Sequence, residues 1–192
     1  QGFNIVEIDV RQTKDGVPVV MHDSSVNRTT SGRGAINKMS YAEVSQLDAG
    51  NWFDPFFAGE RVPRLDDVLI HAKGRGEVYI EIKEAEPKLL LELVQQHEMI
   101  EECFFWCEEV RMMDQLRLLN KAVRLMARRY DFKTLEAAIK RHQPQVIEFN
   151  GLKISAEELA RCRKLSILSM PVYMGSGLDK LQELINTGVD LL

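Results

Sequence analysis

The chain has 192 residues, 25 Lys plus Arg against 29 Asp plus Glu, 45% apolar residues and 3 Cys, the make-up of an ordinary globular domain. A net charge of -4, with acids and bases interspersed, leaves no broad cationic face for a nucleic-acid backbone, and no run reaches the roughly 18 apolar residues of a membrane helix. Three cysteines, an odd number without the paired Cys/His spacing of a zinc site, read as buried thiols in a reducing, cytoplasmic compartment, and the charge balance favours small-molecule partners.

Residues 5–10 read as a strand, Lys14-Asp15-Gly16 as a turn in which glycine supplies the positive φ, and residues 17–22 as a second extended run. A long excursion over about 23–75 follows. It holds a short helix capped by Ser40 and Glu43, an aromatic loop Trp52-Phe53-Asp54-Pro55-Phe56-Phe57 and a helix near 65–72. Four large aromatics in one loop need a shared burial surface, so the loop is expected to pack on the rim of a site and shield it from water.

From residue 78 onward, apolar runs at 78–83, 103–107, 123–127, 146–150, 167–174 and 189–192 alternate with amphipathic stretches. The stretches lie at 87–96, 108–119, 131–141, 156–165 and 178–186. Ser155 with Glu158, and Ser176 with Asp179, mark two helix starts, and Gly188 ends the last helix. Such alternation implies parallel strands under helices, in an open doubly wound sheet or a closed (β/α)8 barrel. Seven principal strands, with strands at both chain ends, lead to the expectation of one α/β barrel domain over 1–192. The insertion would follow the second strand, and a first β/α unit and a last helix would lie outside the sequence.

Side chains alternate along a strand, so Glu7 and Asp9 share one face, Tyr79, Glu81 and Lys83 share another, and Glu148 and Asn150 a third. In a half-solvated antiparallel sheet these faces would meet water. In a helix-covered parallel barrel the apolar faces pack on helices, and the acids point inward near the C-terminal strand ends. Burying an unpaired ion costs several kcal/mol, so three interior carboxylates call for a counter-charge. Glu7, Asp9 and Glu81 offer hard oxygen ligands, which favours a single Mg2+ or Ca2+. Lys83 is placed either to meet a substrate anion or to pair with a neighbouring acid, and Glu148 either to line the pocket or to make a structural ion pair. His22 follows a turn that folds it back towards Glu7 and Asp9, as a proton-transfer residue would be placed. His71, His97 and His142 lie in polar helical surroundings and read as structural.

Several motifs keep order and spacing: Glu7-x-Asp9, Thr13-x-Asp15-Gly16, Val19-Val20-x-His22-Asp23, Arg28-Thr29-Thr30, Gly32-x-Gly34, Asp48-Ala49-Gly50, Trp52-Phe53, Gly59-Glu60-x-Val62-Pro63-x-Leu65 and Glu81-Ile82-Lys83. The series resembles the glycerophosphodiester phosphodiesterase family, specifically over residues 1 to about 83 and generally thereafter. The resemblance implies a (β/α)8 TIM barrel with an insertion after the second strand, one divalent metal, and hydrolysis of glycerophosphodiesters to glycerol 3-phosphate and an alcohol. Carried over by position, it implies that Glu7, Asp9 and Glu81 are metal ligands, His22 one of two acid/base histidines and Lys83 a phosphate-side cation. Trp52 and Tyr173 are expected on the pocket rim as substrate-binding residues, and Glu148 is a substrate-binding candidate on the pocket wall. The family's His-Arg-Gly motif and the Glu after it are expected upstream of Gln1. Val172-Tyr173-Met174-Gly175-Ser176 and Trp106-Cys107 depart from the usual rim sequences, which points to a different leaving alcohol. Two alternatives stay open: a related barrel phospholipase that forms a cyclic phosphate, and a catalytically impaired, metal-stabilised binding module.

Overall fold

The computed structural model describes residues 5–151, 153–173, 175 and 177–191, in two compact units, Gln1–Val123 and Arg124–Leu192. In the first unit, β1 (Ile5–Gln12) pairs antiparallel with β2 (Pro18–Val20) and parallel with β3 (Glu77–Glu84), which in turn pairs parallel with β4 (Cys103–Trp106). Gly16, with φ +89, closes the β1–β2 turn, a conformation that other residues adopt only under strain. The two long strands run in register, Glu7 opposite Tyr79 and Asp9 opposite Glu81, until the register shifts between Val10 and Arg11. Helices α1 (Tyr41–Val44), α2 (Leu65–Ala72), α3 (Pro87–Gln96) and α4 (Val110–Leu119) complete this unit.

The insertion shares a small core with the second extended run, made of Val19, Met21, Val26, Ile36, Val44 and Val62. Its turns are fixed by carboxylates. Asp15 accepts from the Thr13 hydroxyl at 2.6 Å and the Tyr41 amide at 2.9 Å, and the Ser40/Glu43 capping box opens α1 as its sequence requires. Asp48 accepts from the amides of Gly50, Asn51 and Gly59 at 3.0, 2.8 and 2.6 Å. Gly50 is obligatory on steric grounds, because a Cβ there would lie 1.9 Å from the Phe57 carbonyl oxygen.

The second unit repeats β/α pairs: β5 (Arg124–Arg128), α5 (Leu135–His142), β6 (Val146–Asn150), α6 (Ala156–Lys164), β7 (Leu168–Val172) and α7 (Leu178–Asn186), with β5, β6 and β7 parallel. Leu135, Ile147, Phe149, Cys162 and Ile167 form its core, and the Ser155/Glu158 capping box is present. Three expectations need correction or fall outside the description. The run at 189–192 is not a strand over its described residues; instead the Asp190 carboxylate accepts from the Ser169 amide at 2.8 Å and hydroxyl at 2.6 Å. The last helix has Gly177 at its N-cap, without a side-chain cap. Ser176 and Met174, named in the sequence reading, lie outside the described residues, as does Leu192.

Candidate active site

Parallel strands lie about 4.8 Å apart, so the Asp9–Glu81 register sets two carboxylates side by side, and Glu7, one repeat back on the same face, reaches them with its longer side chain. One oxygen from each of Glu7, Asp9 and Glu81 lies within 4.8 Å of the other two. Glu81 is buried, Asp9 half-buried and Glu7 exposed. Lys83, two residues beyond Glu81, contacts the Glu81 carboxylate and lies 3.3 Å from Asp9. Of its two alternatives from sequence, the ion pair is the one observed.

Among the described contacts, three carboxylates face one ammonium, and the cluster is crowded with negative charge. Desolvation first, and the charges of Asp9 and Glu81 next, push Glu7 up to about 7, with Lys83 and His22 pulling less strongly the other way. Burial pushes the thiol of Cys107 up, and Cys107 is not among the three residues whose ligand atoms converge. The donor set is therefore all carboxylate oxygen, suited to a hard divalent cation.

His22 comes to the same region because the Met21 amide donates to the Asp9 carbonyl at 2.9 Å, tying the end of the second extended run to β1. The charge of His22 reaches Glu7. Its Nδ1 lies 2.8 Å from Asp23 Oδ1, and Arg28 grips Asp23 with Nε at 2.7 Å and Nη2 at 2.8 Å. Arg28, followed by His22, holds Asp23 far below the usual carboxylate range. At the main chain of His22, Arg11 Nε donates to the carbonyl at 2.9 Å, and Arg11 pairs with Glu84 at 3.2 Å.

A model of the glycerophosphoryl diester phosphodiesterase family matches residues 1–138. The chain belongs to this family. A glycerophosphodiester phosphodiesterase of Bacillus subtilis is 35% identical over 111 residues, which cover 50% of this chain and 38% of that one. A second, from Caldanaerobacter subterraneus, is 48% identical over 68 residues, covering 35% and 28%. The chain thus spans well under half the length of these curated relatives. The crystal structure of glycerophosphodiester phosphodiesterase from Agrobacterium tumefaciens matches with a TM-score of 0.92 at 32% identity, covering 98% of this chain and 82% of that one. The fold is the α/β TIM-barrel fold of the family. An Oleispira antarctica phosphodiesterase, whose structure contains the product sn-glycerol-3-phosphate, matches at 0.85 with 21% identity, covering 100% and 81%.

The other residues singled out from sequence make contacts of their own. Glu148 is buried in the second unit, where it accepts from the Tyr130 hydroxyl and lies 3.2 Å from Arg128 Nε, so it makes the ion pair of its two alternatives. The Tyr173 hydroxyl exchanges hydrogen bonds with Gly177, accepting from its amide at 3.0 Å and donating to its carbonyl at 3.2 Å. Trp52 donates to the Ala49 carbonyl at 2.9 Å and is half exposed. The aromatic loop corrects an expectation: Phe53 and Phe56 are 70% and 86% exposed, and the rings pack edge to face or tilted on one another rather than in a buried rim. Asp48 and Gly50 hold the loop's backbone, so the rings need no burial to be ordered. Sequence reasoning assigned no role to Asp23, Arg28 or Arg11. Arg11 shares the Glu7/Asp9 parity along β1, which is a signal, whereas the Arg28 contact depends on the path of a loop.

Proposed function

We propose that this protein is a divalent-cation-dependent phosphodiesterase that hydrolyses glycerophosphodiesters to glycerol 3-phosphate and an alcohol. The observation that carries the reading is the convergence of Glu7, Asp9 and Glu81 within 4.8 Å beside Lys83, in a chain of this family. Sequence-similar glycerophosphodiester phosphodiesterases support the reaction class, and the product bound to the Oleispira protein supports glycerol 3-phosphate as the product. Glu7, Asp9 and Glu81 would hold Mg2+ or Ca2+, which polarises phosphoryl oxygens when bound. Lys83 keeps a positive charge at the mouth of the cluster, where it can also meet a phosphate oxygen. His22 moves a proton to or from an ester oxygen at Nε2. Trp52 offers an exposed aromatic face to the alcohol portion. Glu148 and Tyr173, whose polar atoms are engaged within the second unit, are not required. Residues 1–192 act here as one domain with an insertion, and three buried free thiols fit a cytoplasmic location.

The test is phosphorus NMR of a panel of glycerophosphodiesters with different alcohols, incubated with the protein plus Mg2+ or Ca2+, then with a chelator. The expected result is a phosphomonoester that forms only with the cation. A persistent cyclic phosphate, or turnover unaffected by chelation, would overturn the reading.

A further inference from the structure

His22 is 64% exposed, and an imidazole so exposed ordinarily samples several rotamers and both tautomers. Here it is pinned at both ends. Its carbonyl accepts from Arg11, whose other nitrogen is held by Glu84, and Glu84 is held in turn by the Asn37 amide group at 2.8 Å. Its ring faces Asp23 Oδ1, the same oxygen that accepts from Arg28 Nη2, while Arg28 Nε occupies Oδ2.

The chemistry of that contact admits one arrangement. An ionised carboxylate has no proton to donate, and the guanidinium fork keeps Asp23 ionised. A hydrogen bond at 2.8 Å between Oδ1 and Nδ1 therefore requires the proton on Nδ1. In the neutral ring Nε2 then carries the lone pair. We infer that Asp23, clamped by Arg28, is the positioning residue that fixes His22 as the Nδ1–H tautomer and leaves Nε2 as its proton-accepting atom. Because Arg28 matches the charge of Asp23, the pair directs the tautomer as a local dipole rather than as a net negative charge beside the acidic cluster. This assignment rests on the proposed function only for its catalytic consequence; the tautomer itself does not depend on it.

The experiment is nitrogen-15 NMR of the imidazoles in the intact protein at a pH where His22 is neutral, with the His22 signals assigned by their loss in His22→Gln. The wild-type spectrum should show a protonated Nδ1 and a bare Nε2. In Asp23→Asn, whose amide can donate to Nδ1, the pattern should reverse, and in Asp23→Ala it should move towards the Nε2–H form that free imidazoles favour. Should the protein hydrolyse glycerophosphodiesters, Asp23→Asn should lower kcat by about 100-fold or more with KM little changed, the signature of a wrong tautomer. A bare Nδ1 in the wild type or an unchanged pattern in Asp23→Asn overturns the assignment, and a reversed pattern with unchanged kcat overturns its catalytic consequence. The expected tautomers in a protein without phosphodiesterase activity would uphold the positioning role and reject the proposed function instead.

Discussion

Two acid-rich regions of the first unit use the same side chains to opposite ends. In the insertion and the β1–β2 turn bonded to it, Asp15, Glu43 and Asp48 each accept hydrogen bonds from hydroxyls or backbone amides, and all three are held below the usual carboxylate range. In the strand-end cluster, Asp9 and Glu81 share Lys83, and Glu7 is pushed up to about 7. The difference lies in the partners each strand or loop supplies. A loop that turns back on itself aims free amides at its carboxylates, whereas amides within a sheet are spent on the ladder and leave the side chains to find a counter-charge elsewhere. Acids completed by their own backbone build structure, and acids short of positive charge are equipped to take up a cation.

The largest effect should come from the cluster. Glu81→Ala is expected to lower activity by more than about 100-fold together with cation affinity, beyond what loss of an outer partner costs a metal site. Thermal stability measured in chelator should be unchanged or raised, because one of three crowded charges is gone; a large loss of stability would place Glu81 among the structural acids. Next comes His22→Ala, expected to cut kcat by about 100-fold to 10,000-fold with cation affinity intact. Activity and cation titrations on this variant separate a proton-transfer group from a ligand, and parallel loss of both would make His22 a ligand.

Gly50→Ala probes the insertion. Its Cβ would meet the Phe57 carbonyl at 1.9 Å, so the loop must open, at a cost of about 1–3 kcal/mol read as a lower Tm, with Trp52 fluorescence reporting the opening. The smallest effect is that of pH. Asp15, Glu43 and Asp48 bind protons less readily in the folded chain than in the unfolded one, where Asp and Glu titrate near about 3.9 and 4.3. Their contribution is therefore full above those values and fades as pH falls through the lower folded ones. Protection of the amides of Gly50, Asn51 and Gly59, measured against their intrinsic exchange rate at each pH, should fall on acidification before the protein as a whole unfolds. Protection that persists to the global transition would contradict the role given to Asp48.

Much of this was legible in the sequence because it is periodic. Alternation along residues 5–10 and 78–83 put Glu7, Asp9 and Glu81 on inward faces, and Ser40 and Ser155 announced their helices three residues ahead of their glutamates. What stayed hidden depends on pairing between segments. Glu148 had two readings until the register set Arg128 opposite it and brought Tyr130 onto it. The exposed aromatics were misjudged because composition reports how much apolar surface must be placed, while Asp48 and Gly50 decide where the loop's backbone goes. His22 was legible as a residue, but its Asp23–Arg28 clamp was not, since it is made by a loop without periodicity.

The central claim is that the cluster, unlike the insertion, takes up a cation, and calorimetric titration with Mg2+ and Ca2+ tests it most directly. Wild-type protein and Asp48→Asn should each bind one divalent ion per chain with similar affinity, and Glu81→Gln should bind none in the same range. Absence of binding in the wild type, binding that survives in Glu81→Gln, or loss in Asp48→Asn with the fold intact would contradict the account.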